Sequence, residues 1–254
     1  MILAGGLGTR LREETEYLPK PMVPVGAKPI IWHIMKSYSS QTFNDFIICA
    51  GYKADVIRDF FLNYQTKNSD FTVKLASSDS PTIHQCIDED WSVTVSDTGI
   101  STQTGGRIHK IKKYIDDETF MCTYGDGLSD LDIKKLVDFH NSHGKIATVS
   151  VARPLSRFGV LDITENNEVS KFREKPQADN WVNIGFFVFN IKIFDFLNEE
   201  SILEDLPLGN LAKAGELMAF KHDGFWQSMD TYREMTILNE LWNSGNAPWK
   251  NWES

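Results

Sequence analysis

The sequence predicts an α/β protein in which a parallel sheet carries helices on both faces. Three observations lead there. Over the first 150 residues, short apolar runs alternate with stretches of helical periodicity, the pattern of strand–helix–strand units. A glycine-rich turn directly follows the first apolar run, and Gly125-Asp126-Gly127 stops a later one. A chain of 254 residues also has enough length to bury a full core without disulfide or metal staples.

The elements follow in order. Residues 1–4 read as a short strand. Ile30, Ile31, Ile34, Met35 and Tyr38 share one helical face. Residues 46–50 are a buried strand ended by Gly51. A helix over 54–64 puts Val56, Ile57, Phe60, Phe61 and Tyr64 on one side. Residues 71–75, and the alternation at Val93 and Val95, read as strands. Ile108, Ile111 and Ile115 recur at helical spacing, with 104–107 as the loop leading in. Residues 120–124 form a strand. Residues 132–143 form a helix whose face is Ile133, Leu136, Val137 and His140, closed by Gly144. A strand over 146–152 follows. Beyond it, strands are expected at 159–163, 169–172, 181–190, 216–221 and 225–227, and helices at 192–197, 206–214 and 231–242. No repeat or low-complexity linker interrupts this order, so one compact domain is expected.

Composition narrows the function. Lysine and arginine total 26 against 35 acidic residues, a net charge of −9. That argues against an electrostatic nucleic-acid binder. Cys49, Cys86 and Cys122 are odd in number and far apart, without a CxxC pair, which argues against a disulfide framework or a zinc cage. No apolar run reaches the length of a membrane span, and the first residues lack the pattern of a secretion signal. A cytoplasmic protein with no membrane partner is the expectation.

The strongest chemical signal is Leu3-Ala-Gly-Gly-Leu-Gly-Thr-Arg10, followed by Pro19-Lys20-Pro21. It lacks the third glycine of a dinucleotide fingerprint and the Gly-Lys-Ser/Thr of a Walker loop. Glycines after a strand let backbone N–H groups approach phosphate oxygens, and Arg10 and Lys20 add two cations to hold a polyphosphate. The plainer reading is a glycine turn with two solvated cations. Asp126 ends a parallel strand, where open α/β sheets bind ligands. It is either a turn residue or a carboxylate that meets a polyphosphate through Mg²⁺. Glu174-Lys175-Pro176 is either a surface ion pair or a clamp for phosphate and sugar hydroxyls. Asp230 is either a second Mg²⁺ ligand or a helix N-cap, a role Thr231 can also fill. Thr104-Gly-Gly-Arg107 is either a plain loop or a place where backbone approaches a base edge. His140 and His143 are spaced for a metal, although a favourable contact with the helix C-terminus is simpler. Trp249 and Trp252 are expected to dock on the body of the protein or on a neighbouring subunit.

Together these segments resemble the sugar-1-phosphate nucleotidyltransferases, which carry Leu-Ala-Gly-Gly-x-Gly-Thr-Arg, then Pro-Lys-Pro, Gly-Asp, Glu-Lys-Pro and a second Asp. The likeness spans nearly the whole chain. It is strongest to the cytidylyl-transferring branch, through 29–35, 46–52, Thr104-Gly-Gly-Arg107, 123–127, 225–231 and 247–250. Relatives that use UTP or dTTP usually have a Gln-Pro type loop in place of Thr-Gly-Gly-Arg.

The resemblance implies a Rossmann-like nucleotide-diphospho-sugar transferase fold, with a mixed, mostly parallel sheet. Residues 1–152 would bind the nucleotide, and 153–254 the sugar phosphate. It implies CTP and α-D-glucose 1-phosphate as substrates, Mg²⁺ as cofactor, and a homo-oligomer, a hexamer among the options. By motif, Leu3, Ala4, Gly5, Gly6, Gly8, Thr9 and Arg10 match the nucleotide-phosphate loop, and Lys20 the lysine near the phosphates. Thr104, Gly106 and Arg107 match the cytidine side. Asp126 and Asp230 match the Mg²⁺ ligands. Glu174 and Lys175 match the sugar-phosphate clamp, with Gly159 and Asn183 near the sugar. Arg10, Lys20, Asp126 and Lys175 would be the catalytic set. The family has two or three more residues before Ile2, so the first strand is expected to be short. Asn183-Ile-Gly185 stands where Asn-Gly-Gly is usual. Two alternatives remain, a UTP- or dTTP-using enzyme and a catalytically silent subunit that binds a nucleotide sugar.

Overall fold

Seven strands form the central sheet, in the spatial order Leu217–Lys221, Ala147–Ala152, Val182–Asn190, Thr119–Tyr124, Ile2–Ala4, Asp45–Ala50 and Ser92–Asp97. The computed structural model describes residues 1–76, 80–84, 89–156 and 158–252. Ile2–Ala4 lies parallel to both its neighbours, and Asp45–Ala50 is parallel to Ser92–Asp97. Val182–Asn190 runs antiparallel to the strands on either side of it, so the sheet is mixed.

Strands covered on both faces lose the polar alternation of half-exposed ones. Ile48, Cys49 and Ala50 are all buried, and successive residues serve opposite cores. Ile2, Ala4 and Ile48 pack with Ile30, Ile34 and Met35 of the helix Ile30–Ser39. Leu3 and Cys49 pack on the other face with Ile108, Phe187 and Phe189. The short first strand thus contributes to both cores.

The helix Ile133–His143 starts on Asp132, whose carboxylate accepts from the Lys135 N–H at 2.9 Å, and ends on Gly144 at φ 63°. The helix Tyr232–Asn243 begins with a capping box between Thr231 and Glu234. Trp249 is fully buried in the body of the protein. It stacks on Phe225 and Trp242 and donates its indole N–H to His33 Nδ1 at 3.4 Å.

Some expectations need correction. The strand expected over 71–75 shrinks to Phe71–Thr72, paired with Thr82–Ile83, because no sheet covers the run; Leu75 is 93% exposed. Residues 104–107 are the start of the helix Thr104–Lys110 rather than a loop. The segment expected as a helix at 192–197 is the 3₁₀ turn Ile191–Phe196. His140 Nδ1 and His143 Nε2 both meet the Thr148 hydroxyl at 2.8 Å. Burial lowers the His140 pKa to about 4, so a charge–dipole contact does not account for it. Cys86 lies outside the described residues.

Strand order reverses between Ile2–Ala4 and Thr119–Tyr124. In open α/β sheets this opens a crevice at the carboxyl ends of the strands. The glycine-rich loop and the turn that carries Asp126 leave from this point.

Candidate active site

A cleft of about 590 Å³ lies at the reversal, bordered by the glycine-rich segment, Lys20, Arg107, Asp126, Asn183 and Asp230. The loop is shaped by backbone demands. Gly8 sits at φ 62°, and its carbonyl accepts from the Leu11 N–H and the Thr15 hydroxyl, both at 3.0 Å, closing the turn Thr9–Leu11. A Cβ on Gly5 would lie 2.0 Å from the Arg107 guanidinium. At Gly6 nothing stands within 4 Å of that position, so the backbone there is open to a ligand.

Lys20 lies in the 3₁₀ turn Lys20–Met22, between the two prolines. Its ammonium donates to Asp126 Oδ2 and to Asp230 Oδ1, each at 2.6 Å. Burial pushes its pKa down, but the charges and hydrogen bonds of the two carboxylates outweigh that, and it lies above the ordinary lysine value. Arg10 reaches Asp230 Oδ2 at 3.2 Å from the exposed side.

Asp126 and Asp230 are far apart in sequence. A ladder joins them: Gly127–Ser129 pairs antiparallel with Trp226–Ser228, and the Met229 N–H donates to the Asp126 carbonyl at 2.8 Å. The Glu234 carboxylate accepts from the N–H groups of Asp230 and Thr231, each at 2.9 Å. Thr231 is the N-cap, which leaves the Asp230 carboxylate directed to the cations.

Arg107 is buried. It donates to the carbonyls of Gly5, Ala50, Gly99 and Ile100 and to the Thr98 hydroxyl. It therefore ties the glycine-rich segment to two neighbouring loops, and it also borders the cleft. Thr104 borders the cleft as well. Gly106 does not; it packs against the Glu199 carbonyl. Leu3, Ala4, Gly5, Gly6, Gly8, Thr9, Arg10 and Asn183 all line the cleft. Gly159, Glu174 and Lys175 do not. They sit on a hairpin formed by Val160–Ile163 and Val169–Arg173, with Lys175 at φ 44° and 3.8 Å from Glu174.

Among the cleft residues that the sequence reading did not single out are Tyr124 and Glu204. Tyr124 read as a strand end, and Glu204 falls outside every motif. Their contact joins residues 80 apart, a proximity that no local spacing encodes.

A pair of carboxylates touching one ammonium can also share one small cation. That donor set suits Mg²⁺, which takes one or two carboxylates and fills its other positions with water and phosphate oxygens. Among the described residues no group of three or more metal-binding side chains gathers.

Residues 1–227 match the family model described as Nucleotidyl transferase. The chain belongs to this family. It is 52% identical over 256 residues to the glucose-1-phosphate cytidylyltransferase of Salmonella typhi, covering 100% of this chain and 99% of that protein. A probable glucose-1-phosphate cytidylyltransferase of Bacillus subtilis is 42% identical over 254 residues, with 99% of each chain covered. Among solved structures, HddC from Yersinia pseudotuberculosis superposes with a TM-score of 0.67 at 27% identity, covering 95% of this chain and 97% of that chain. The family resemblance and the mixed, mostly parallel sheet expected from it are both borne out.

Proposed function

We propose that this nucleotidyltransferase moves the cytidylyl group of CTP onto α-D-glucose 1-phosphate, releasing pyrophosphate and CDP-glucose. The observation that carries the reading is the Arg10, Lys20, Asp126 and Asp230 cluster beside an open glycine-rich backbone. The choice of substrates is supported by the likeness to the two cytidylyltransferases.

The chemistry joins two anions, so neutralisation and alignment dominate. An oxygen of the sugar phosphate forms a bond to the α-phosphorus, and the bond from that phosphorus to the bridging oxygen breaks. The electron pair leaves with pyrophosphate. A phosphate monoester oxygen is already ionised at neutral pH and needs no general base. The Gly5–Gly8 backbone cradles the triphosphate, while Arg10 and Lys20 hold the departing charge. Asp126 and Asp230 would hold Mg²⁺, which when bound would supply positive charge to offset that of the phosphates. Thr104 and Arg107 face the nucleotide side, with Gly106 giving the helix its close approach to residue 199. Asn183 faces the sugar. For Glu174, Lys175 and Gly159 a sugar-phosphate role rests on motif alone.

A homo-oligomer is part of the proposal. Leu155, Phe158, Leu161, Ile163 and Phe172 are all exposed on or beside the hairpin that carries these three residues, an apolar surface suited to a second copy. A single-subunit mass in solution would remove this element. A cytoplasmic setting fits the composition, and no described helix is long and apolar enough to cross a membrane.

The test is pyrophosphate release with glucose 1-phosphate and Mg²⁺, comparing CTP, UTP, dTTP and ATP. Release with CTP well above the others is expected. Release chiefly with UTP or dTTP would keep the transfer and overturn the nucleotide. Folded protein inactive with all four would favour the silent nucleotide-sugar-binding subunit.

A further inference from the structure

The cleft holds one acidic side chain that the proposed transfer leaves without a role. Glu204 stands just before the helix Leu206–Lys213 and borders the cleft, and its two carboxylate oxygens take different partners. Oε2 accepts from the Thr104 hydroxyl at 2.6 Å, and that hydroxyl also accepts from the Leu203 N–H at 2.9 Å. Oε1 accepts from the Tyr124 hydroxyl, which in turn accepts from Asn183 Nδ2 at 3.3 Å. The chain of bonds thus runs from Thr104 through Glu204 and Tyr124 to Asn183, two of which the transfer reading assigns to the nucleotide (Thr104) and the sugar (Asn183). The backbone makes room for it. Gly185 sits at φ 83°, and a Cβ there would lie 2.2 Å from the Tyr124 ring. Tyr124 is two residues before Asp126, so its placement also sets the turn that carries that carboxylate.

We propose that Glu204 is a positioning residue that locks the two walls of the cleft together, through Thr104 on one side and Tyr124 on the other. The proposal rests on the transfer reading above for the identity of what each wall binds. A carboxylate suits this place because it accepts two hydroxyl bonds at once, and charged acceptors make the stronger bonds. Glutamine offers only one accepting oxygen.

Steady-state kinetics with each substrate varied in turn is the test. Tyr124→Phe should raise the KM of the sugar phosphate and leave that of the nucleotide. Thr104→Val should do the reverse. Glu204→Ala should raise both by about tenfold, the loss of charged hydrogen bonds, with the melting temperature little changed. Glu204→Gln should recover part of the loss. In the Glu204→Ala background, Tyr124→Phe and Thr104→Val should add little further. Unchanged kinetics in Glu204→Ala would overturn the proposal, as would fully additive double variants or a loss matched by lost folded protein. Should the wild type prefer UTP or dTTP, the nucleotide assignment fails and the same comparisons run with that nucleotide. Should it turn over none, calorimetric titration of CTP and of glucose 1-phosphate, each alone, reads the two affinities directly.

Discussion

Lys20 is the residue on which Asp126 and Asp230 converge, and its removal leaves these two carboxylates facing each other without the ammonium. Lys20→Met should lower kcat/KM by about 10²–10³, the usual cost of losing one preorganised charge partner. Pyrophosphate release under saturating and limiting substrate measures it, and a loss below about threefold would contradict the assigned role. Because its pKa is raised, the folded state favours the ammonium; that contribution is complete below the unfolded value of 10.5 and fades as pH rises through the higher folded value. Near neutrality Lys20 stays charged. Asp126→Asn keeps the size of the side chain and removes its charge, so turnover should vanish while the circular dichroism spectrum and melting temperature stay close to wild type. Normal turnover in that variant would sink the metal assignment. At this scale the motif residues were legible in the sequence, since glycine, lysine and aspartate carry their chemistry locally. The partner of each was not.

Gly105 and Gly106 show why an element can be misread from its letters. Two glycines after a threonine look like a loop. They are helical here because the helix Thr104–Lys110 runs close beside the segment at 199–201. A Cβ on Gly106 would lie 2.2 Å from the Glu199 carbonyl oxygen. In an open helix interior, glycine to alanine stabilises by roughly 0.5–1 kcal/mol. Gly106→Ala should instead destabilise by about 1–3 kcal/mol, since backbone must shift. Chemical denaturation gives the sign directly, and a stabilised Gly106→Ala would mean that the two segments part easily. Helices elsewhere were legible because apolar spacing and caps are local: Asp132 and Gly144 bracket one, Thr231 and Glu234 open another.

Across the whole molecule, the C-terminal tryptophans close the core over the helix Ile30–Ser39. Trp249→Ala should cost about 3–5 kcal/mol, as for other fully buried large aromatics, and a near-neutral result in urea denaturation would show that the tail is only loosely docked. The same region makes the fold sensitive to acid. His33 is buried, with Nε2 2.8 Å from the Val25 carbonyl and Nδ1 accepting from Trp249, and burial lowers its pKa to about 4. His140 has the same fate on another part of the sheet. Between pH 6.5 and about 4 the unfolded chain binds these protons and the folded one does not, so stability falls as pH falls through that window. The loss should reach roughly 3 kcal/mol for each histidine, read from denaturation midpoints between pH 7 and 4.5. A flat profile down to pH 5 would count against buried neutral imidazoles.

The sequence by itself determined the fold class, most element positions and the residues of the glycine-rich loop, because periodicity, turn residues and glycine-rich spacing are properties of neighbouring positions. It did not reveal that Val182–Asn190 turns antiparallel between its neighbours, that Lys20 lies between Asp126 and Asp230, or that Arg107 fastens the loop from beneath. Nor did it show Glu204 bonded to both Thr104 and Tyr124, or place Gly159, Glu174 and Lys175 on a hairpin outside the cleft. Only the tertiary structure decided these, since each depends on segments tens to hundreds of residues apart brought together by packing the two cores against one sheet.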